Sequence, residues 1–266
     1  MKNSGSLFAA VLAVSVSIGL SGCRSKHNEI VHEVTPSSKI TEARTGVPID
    51  PATTGAIDGT VHFAGKPPER LKIDMSQDPA CSATGGENFA EQYVVHDGGF
   101  ANVYVYMKSG PEAAGMTGQV APAPVVLDQK GCRYVPHVVA VMQGGVVEFR
   151  NSDETMHNIH TMPQGRNPGM DVSQGAKGAP AQKKFNKPET MIPVRCNNHP
   201  WMSAFINVSA TPSFAVTDSD GHFEIKGLPP GTYTLAAVHE KMGEQTISVK
   251  IASKERAKAE FTYSMK

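Results

Sequence analysis

The sequence predicts an all-β protein of the sandwich type, and three observations carry that prediction. Short runs rich in Val, Ile and aromatic residues recur along the chain, many alternating apolar with polar positions. The 25 glycines and 19 prolines cut these runs to lengths that suit strands better than helices. Beyond an apolar segment at the start, no strong helical spacing of apolar residues is seen.

The strands follow in order. Ile57, Val61 and Phe63 alternate with polar or small neighbours and open the folded part. The turn signal Asp97-Gly98-Gly99 precedes a strand at 103–107. Further strands are expected at 125–127, 137–142, 146–151, 191–196 and 204–208. Residues 164–188 carry Gly, Pro and Lys and read as one long loop, of a length that points to function or mobility. A second unit begins near Thr211. Its strands at 214–217 and 222–225 flank the hairpin turn Asp218-Ser219-Asp220-Gly221. The corner Pro229-Pro230-Gly231 feeds a strand that reaches Leu235, and strands at 246–251 and 259–263 complete the unit. It spans 56 residues (266 − 210). Such a unit buries little by itself and is expected to pack on the larger domain.

The start of the chain reads as a processing segment. Lys2 is followed by an apolar run from Leu7 to Leu20, too short for a comfortable bilayer span. It ends in Leu20-Ser21-Gly22-Cys23, which resembles a bacterial lipobox. That resemblance implies lipidation of Cys23 and a membrane anchor, since each buried CH₂ contributes about 0.8 kcal/mol. Arg24 follows the cysteine, so the usual sorting rule of Gram-negative lipoproteins implies the outer membrane, with the protein on the periplasmic side. An ordinary signal peptide with a chance cysteine is the plainer alternative. The expected organisation is a signal segment over 1–22, a polar tether over 23–54, a main domain with an N-terminal extension over 55–210, and the second unit over 211–266.

Charge is balanced, with 25 basic and 25 acidic residues, which argues against nucleic acid as a partner. Of four cysteines, Cys23 is assigned to lipid. Cys196 is the candidate metal ligand described next. Cys81 and Cys132 then remain as a pair in an oxidising compartment and are predicted to form a disulfide, the alternative being two unpaired buried thiols.

The chemistry concentrates in Cys196-Asn197-Asn198-His199-Pro200-Trp201-Met202. Thiolate, imidazole and thioether fall three residues apart on one short loop. A second imidazole is available at His157, 39 positions earlier (196 − 157), consistent with the end of a neighbouring strand. Two His, one Cys and a weak axial Met are the ligand set of a blue-copper electron-transfer site. A cysteine beside a cation ligates as thiolate, because the cation depresses its pKa.

His157-Asn158-Ile159-His160 together with the 196–202 loop resembles the cupredoxins, and the short-loop amicyanins among them most closely. The resemblance covers about residues 142–208. It implies a Greek-key β-sandwich holding one type 1 copper through His157, Cys196, His199 and Met202, with Asn158 tying the His strand to the Cys loop. It also implies that His199 reaches the surface through an apolar patch flanked by Pro200 and Trp201, where a redox partner protein docks. Residues before 125, the segment after His160 and the C-terminal unit are extra to that family. Trp201 could instead plug the core beneath the loop. His160 should face away from His157 by strand alternation, and His137 reads as hydrogen-bonded. His239-Glu240 lacks a nucleophile or metal partner and reads as structural. Met156 and Met162 could be weak copper contacts, although Met near a core usually packs. Lys177, Lys183, Lys184 and Lys187 could steer an acidic partner, but a charge run of this kind is usually a solvated loop.

The C-terminal unit resembles carboxypeptidase regulatory-like, or prealbumin-like, β modules through Asp220-Gly221-His222-Phe223-Glu224-Ile225 and Gly227-Leu228-Pro229-Pro230-Gly231-Thr232-Tyr233. The expected function is that of an envelope electron carrier and not an enzyme, since no second His set for a catalytic copper centre is visible. A purple binuclear site would need a second Cys, which Asn197, Asn198 and Pro200 do not provide. The competing readings are copper storage or delivery, and an envelope-binding lipoprotein whose β module binds glycan or protein.

Overall fold

The computed structural model describes residues 47–48, 50–83, 87–111, 113–114 and 123–265. The expected signal segment, Cys23 and most of the tether lie outside the described residues. No helix among the described residues is long and apolar enough to cross a membrane.

In chain order the elements are β1 (Val47–Pro48), β2 (Gly55–Ala64), α1 (Pro79–Ser82), β3 (Val95–His96), β4 (Gly99–Phe100), β5 (Tyr104–Ser109), β6 (Ala113–Ala114), β7 (Val125–Gln129), β8 (Tyr134–Val135), β9 (Val138–Met142) and β10 (Val146–Asn151). They continue with β11 (His157–Thr161), β12 (Met170–Gln174), β13 (Ala181–Lys184), β14 (Glu189–Arg195), β15 (Ser203–Ser209), β16 (Phe214–Val216), β17 (His222–Leu228), β18 (Gly231–His239), β19 (Gly243–Ile251) and β20 (Arg256–Ser264). The all-β expectation therefore holds.

Two separate cores organise these strands. The first sandwich pairs a sheet ordered β13-β10-β7-β8 with one ordered β12-β11-β14-β15-β9. Leu127 and Phe149 from one sheet and Ile159, Val194 and Ile206 from the other fill its interior. The β10–β7 and β15–β9 pairs run parallel, and the remaining pairs are antiparallel. The second sandwich pairs β16-β5-β18-β19 with β17-β2-β4-β3, and β20 lies parallel beside β2. Its core is Ile57, Val61, Phe100, Leu235, Phe261 and Tyr263 with their neighbours.

The expected boundary at residue 211 therefore cuts through a sandwich. Strands β2 to β5 do not extend the first sandwich; they complete the second. β2 pairs with both β17 and β20, and β5 pairs with both β16 and β18. The physical reason is burial: a unit of 56 residues (266 − 210) cannot close its own core. The first sandwich is thus an insertion between β5 and β16. The expected long loop at 164–188 is also partly strand, containing β12 and β13. These are edge strands with mostly exposed or half-exposed side chains, so they carry no apolar alternation to read.

One segment crosses from the second sandwich to the first. After β2 the chain runs across the first sandwich, where Met75 and Cys81 join its core. Asp78 caps α1, its Oδ1 accepting from the Ala80 and Cys81 backbone N–H groups, and Pro79 takes the first helical turn. Cys81 is bonded to Cys132, with Cα atoms 5.5 Å apart. The predicted disulfide is present.

A buried hydrogen bond joins the two sandwiches. His137 Nε2 lies 2.7 Å from Glu240 Oε1, and its Nδ1 lies 3.0 Å from the Ser203 carbonyl oxygen. His137 is therefore hydrogen-bonded, as expected. Next to Glu240, His239 sits against Phe100 with ring centroids 4.3 Å apart. Its Nδ1 accepts from the Lys241 N–H, and its Nε2 has no partner. Burial pushes this ring down to about 4, against the weaker opposing pull of Glu240.

The discontinuous second sandwich can be tested by truncation. A fragment ending at residue 210 should keep hydrogen-exchange protection in β7–β15 and lose it in β2–β5, which have lost their partners. Equal protection in both groups would contradict the pairing described above. The burial of His239 predicts a pH dependence. This ring titrates below its ordinary 6.5 when folded, so protons favour the unfolded chain. Its contribution is complete above about pH 6.5 and is lost as pH falls toward 4, amounting to on the order of 3 kcal/mol. Urea unfolding across that window should show the slope, and His239→Phe should flatten it.

Candidate metal centre

Three donor atoms converge at one end of the first sandwich. His157 begins β11, Cys196 follows β14, and His199 lies in the turn leading to β15. The loop is short because it closes on itself: the Met202 N–H donates to the His199 carbonyl, and the Cys196 N–H to the Met202 carbonyl. His157 Nδ1 and His199 Nδ1 are 2.9 Å apart, and Cys196 Sγ is 3.6 Å from His199 Nδ1. All three donors lie within 4.8 Å of one another. They are buried, at 0% exposure for His157 and 3% for both Cys196 and His199.

Each imidazole is gripped on its far side by a carboxylate. His157 Nε2 lies 2.8 Å from Asp153 Oδ2, and His199 Nε2 lies 2.9 Å from Asp78 Oδ2. An ionised carboxylate only accepts, so each Nε2 donates. In the neutral ring the Nδ1 lone pair then faces the other donors. This donor set fits a metal ion. Bonds of ~2.0–2.1 Å to imidazole and ~2.3 Å to thiolate span separations of this size easily.

The electrostatics agree. Burial pushes the Cys196 thiol up, but His157 and the backbone N–H groups of Asn158, Asn198 and His199 outweigh it and bring it down to about 7. Burial opposes charge on His157, yet Asp153 and the Cys196 sulfur prevail and lift the ring to about 9. The hydrogen bond from His199 holds the Asp78 carboxyl below its ordinary value. For Asp153, burial works the other way but is outweighed by His157 and the N–H groups of Cys132 and Gly131.

Asn158, in β11, bonds to the loop that carries Cys196. Its backbone N–H donates to Cys196 Sγ at 3.3 Å, and its side-chain oxygen accepts from the Asn197 N–H at 3.4 Å. Its Nδ2 donates to Asp171, and Tyr134 donates to its carbonyl. Met202 is 1% exposed in the core that holds Cys196.

Some expectations change here and others hold. His199 does not reach the surface, because α1 and Asp78 cover its outer edge. Trp201 is half-buried: its indole N–H donates to the Cys132 carbonyl, and its ring lies 5.0 Å from that of His199. Pro200 is exposed. Met156 and Met162 stand exposed and do not pack in a core. His160 lies outside the cluster, paired with Asn197 at 3.1 Å. The loop lysines are dispersed. Lys177 pairs with Glu154, Lys183 donates to the Gly169 carbonyl, and Lys184 and Lys187 are exposed.

Asp78 and Asp153 join the site without a strong sequence signal. Asp153 lies four positions before His157 in a turn shaped by Asn151, whose side-chain oxygen accepts the Asp153 N–H. Asp78 is 121 positions from His199, and its one local signal is a helix cap.

Residues 197–264 match the carboxypeptidase regulatory-like domain family. The match begins in the ligand loop and covers only part of the second sandwich, which also uses β2 to β5. Comparison with curated proteins finds no match. Among solved structures, the chain is similar to a copper-containing nitrite reductase from Thermus scotoductus at 23% identity and a TM-score of 0.30. That similarity covers 39% of this chain and about a quarter (25%) of the reductase chain. A Cu(I) amicyanin variant is similar at 18% identity and TM-score 0.29, covering 40% of this chain and 98% of its own. A purple cupredoxin from Nitrosopumilus maritimus gives 18% identity and TM-score 0.27, covering 32% and 99%.

Proposed function

We propose that this protein is a copper-binding single-electron carrier of a bacterial cell envelope. The observation that supports the reading best is the buried convergence of His157 Nδ1, His199 Nδ1 and Cys196 Sγ. Copper held there by His157, Cys196 and His199, with Met202 as a further weak ligand, would supply a one-electron Cu(II)/Cu(I) couple of the type 1 kind. The residues do the rest. The carboxylates fix both rings, the Asn158 N–H tunes the sulfur, and the surrounding core excludes water. A rigid, dry pocket keeps rearrangement on electron transfer small, and no substrate is transformed.

Storage or delivery of copper calls for exposed, exchangeable ligands. Ligands at 0% and 3% exposure favour retention over hand-off. Anchoring through lipid on Cys23 and a place on the periplasmic side of the outer membrane complete the proposal.

The partner would be a redox protein docking on the apolar rim of Pro200, Trp201 and Leu71, which line or border one shallow groove. Leu71 is 70% exposed. With His199 covered, the electron route runs through the Trp201 ring rather than an open histidine edge.

Cu(II) titration of the folded part should saturate at one ion per chain and give an intense thiolate-to-copper absorption. Cys196→Ala should remove that band. A colourless complex that yields its metal readily to a chelator would favour delivery instead. Trp201→Ala should slow electron exchange with small redox proteins about tenfold or more while leaving the copper spectrum in place. Equal rates would remove the docking and relay role.

A further inference from the structure

We propose that Asp78 and Asp153 are paired positioning residues of the metal centre, and that the Cys81–Cys132 disulfide locks them into a single frame. The inference rests on the copper reading above, since it concerns how this chain aims its two imidazoles.

The two carboxylates are built alike. Asp78 accepts the His199 Nε2–H through Oδ2 at 2.9 Å, and the Cys81 backbone N–H through Oδ1 at 3.0 Å. Asp153 accepts the His157 Nε2–H and the Cys132 backbone N–H through Oδ2, each at 2.8 Å. Each carboxylate thus joins one imidazole to the backbone of one half-cystine. The remaining contacts reinforce the pattern. Ala80 N–H and Thr155 Oγ1 donate to Asp78, and Gly131 N–H donates to Asp153 at 2.7 Å.

The Asp153 mount is conformationally demanding. Gly131 has φ +64° and Cys132 φ +53°, successive left-handed residues whose N–H groups form a small nest around the carboxylate. Left-handed backbone is uncommon for a residue other than glycine and persists where its surroundings enforce it. The disulfide, the two bonds to Asp153 and the indole of Trp201 on the Cys132 carbonyl are the enforcing contacts. Cutting the disulfide releases α1, hence Asp78, from the turn that carries Asp153. Both rings then lose the groups that hold Nε2 as donor and Nδ1 as ligand.

The test compares the full chain with Asp78→Ala, Asp153→Ala and the double variant Cys81→Ala/Cys132→Ala. Two readouts are used. Nitrogen-15 NMR of the metal-free rings reports which nitrogen carries the proton, and chelator competition reports Cu(II) affinity. In the native chain Nε2 of both rings should keep a proton, whether or not Nδ1 also carries one. Each Asp variant should release one ring into mixed tautomers and weaken copper about 10–100-fold. The double cysteine variant should release both rings together. Combined with Asp78→Ala it should lose less affinity than the two changes predict separately.

Locked tautomers and native affinity in the folded double variant would overturn the frame. If that variant does not fold, reduction of the native chain, read on the metal-free rings, decides the same point: rings still locked on Nε2 after reduction overturn the frame, and released rings support it. Failure of the copper reading looks different: native rings locked on Nε2, with no Cu(II) bound.

Discussion

Two imidazole nitrogens held 2.9 Å apart are the constraint around which this structure is arranged. Each ring is anchored on its far side by a carboxylate that cannot donate. Two bare nitrogens at that separation repel, so a positive particle belongs between them. In the metal-free chain a proton fills that role, in keeping with the lift of the His157 ring to about 9. A cation between the nitrogens and the sulfur would take the same place. Turning either ring would break its bond to the carboxylate, a charged hydrogen bond worth about 1.5–3 kcal/mol.

Satisfying this constraint needs supports from distant parts of the chain. Strand β11 delivers His157, and the turn between β14 and β15 delivers Cys196 and His199. Asp153 comes from the β10–β11 turn, and Asp78 from the crossing segment that leaves the second sandwich. The first sandwich is therefore incomplete as a site without the crossing segment, which supplies Asp78 and adds Met75 and Cys81 to its core. Closing α1 over His199 also takes that ring out of water. The ring that in the family resemblance should face a partner is here backed by acid and flanked by Trp201.

Much of this was legible in the sequence, and the exceptions have a common cause. The candidate ligands His157, Cys196 and His199 could be read because their chemistry is unusual and their spacing compact. Cys81 and Cys132 could be read by elimination among four cysteines. Strands such as β10 and β15 showed themselves through Val- and Phe-rich runs with buried faces. β12 and β13 did not, because an edge strand with exposed side chains leaves no pattern. Asp78 was hidden because a carboxylate before Pro79 signals a helix cap whether or not its second oxygen reaches a histidine. The discontinuous sandwich was hidden because strand pairing over some 200 positions leaves no mark in local alternation, as in the Lys258–Asp58 ion pair at a separation of 200.

The second sandwich then has a reason to be attached as it is. Its strands β5 and β16 are neighbours in one sheet, so the inserted sandwich leaves and returns at adjacent points. Two adjacent tethers alone would let it pivot. The His137–Glu240 pair adds a third point, and it is buried. Breaking it would leave the buried Glu240 carboxyl without that partner, at a cost of about 1–3 kcal/mol or more. The pair therefore favours one orientation. His137 also binds the Ser203 carbonyl, one residue beyond Met202. Through that bond the second sandwich braces the loop that carries Cys196 and His199. The metal centre is held by two supports that both originate outside its own β-sandwich.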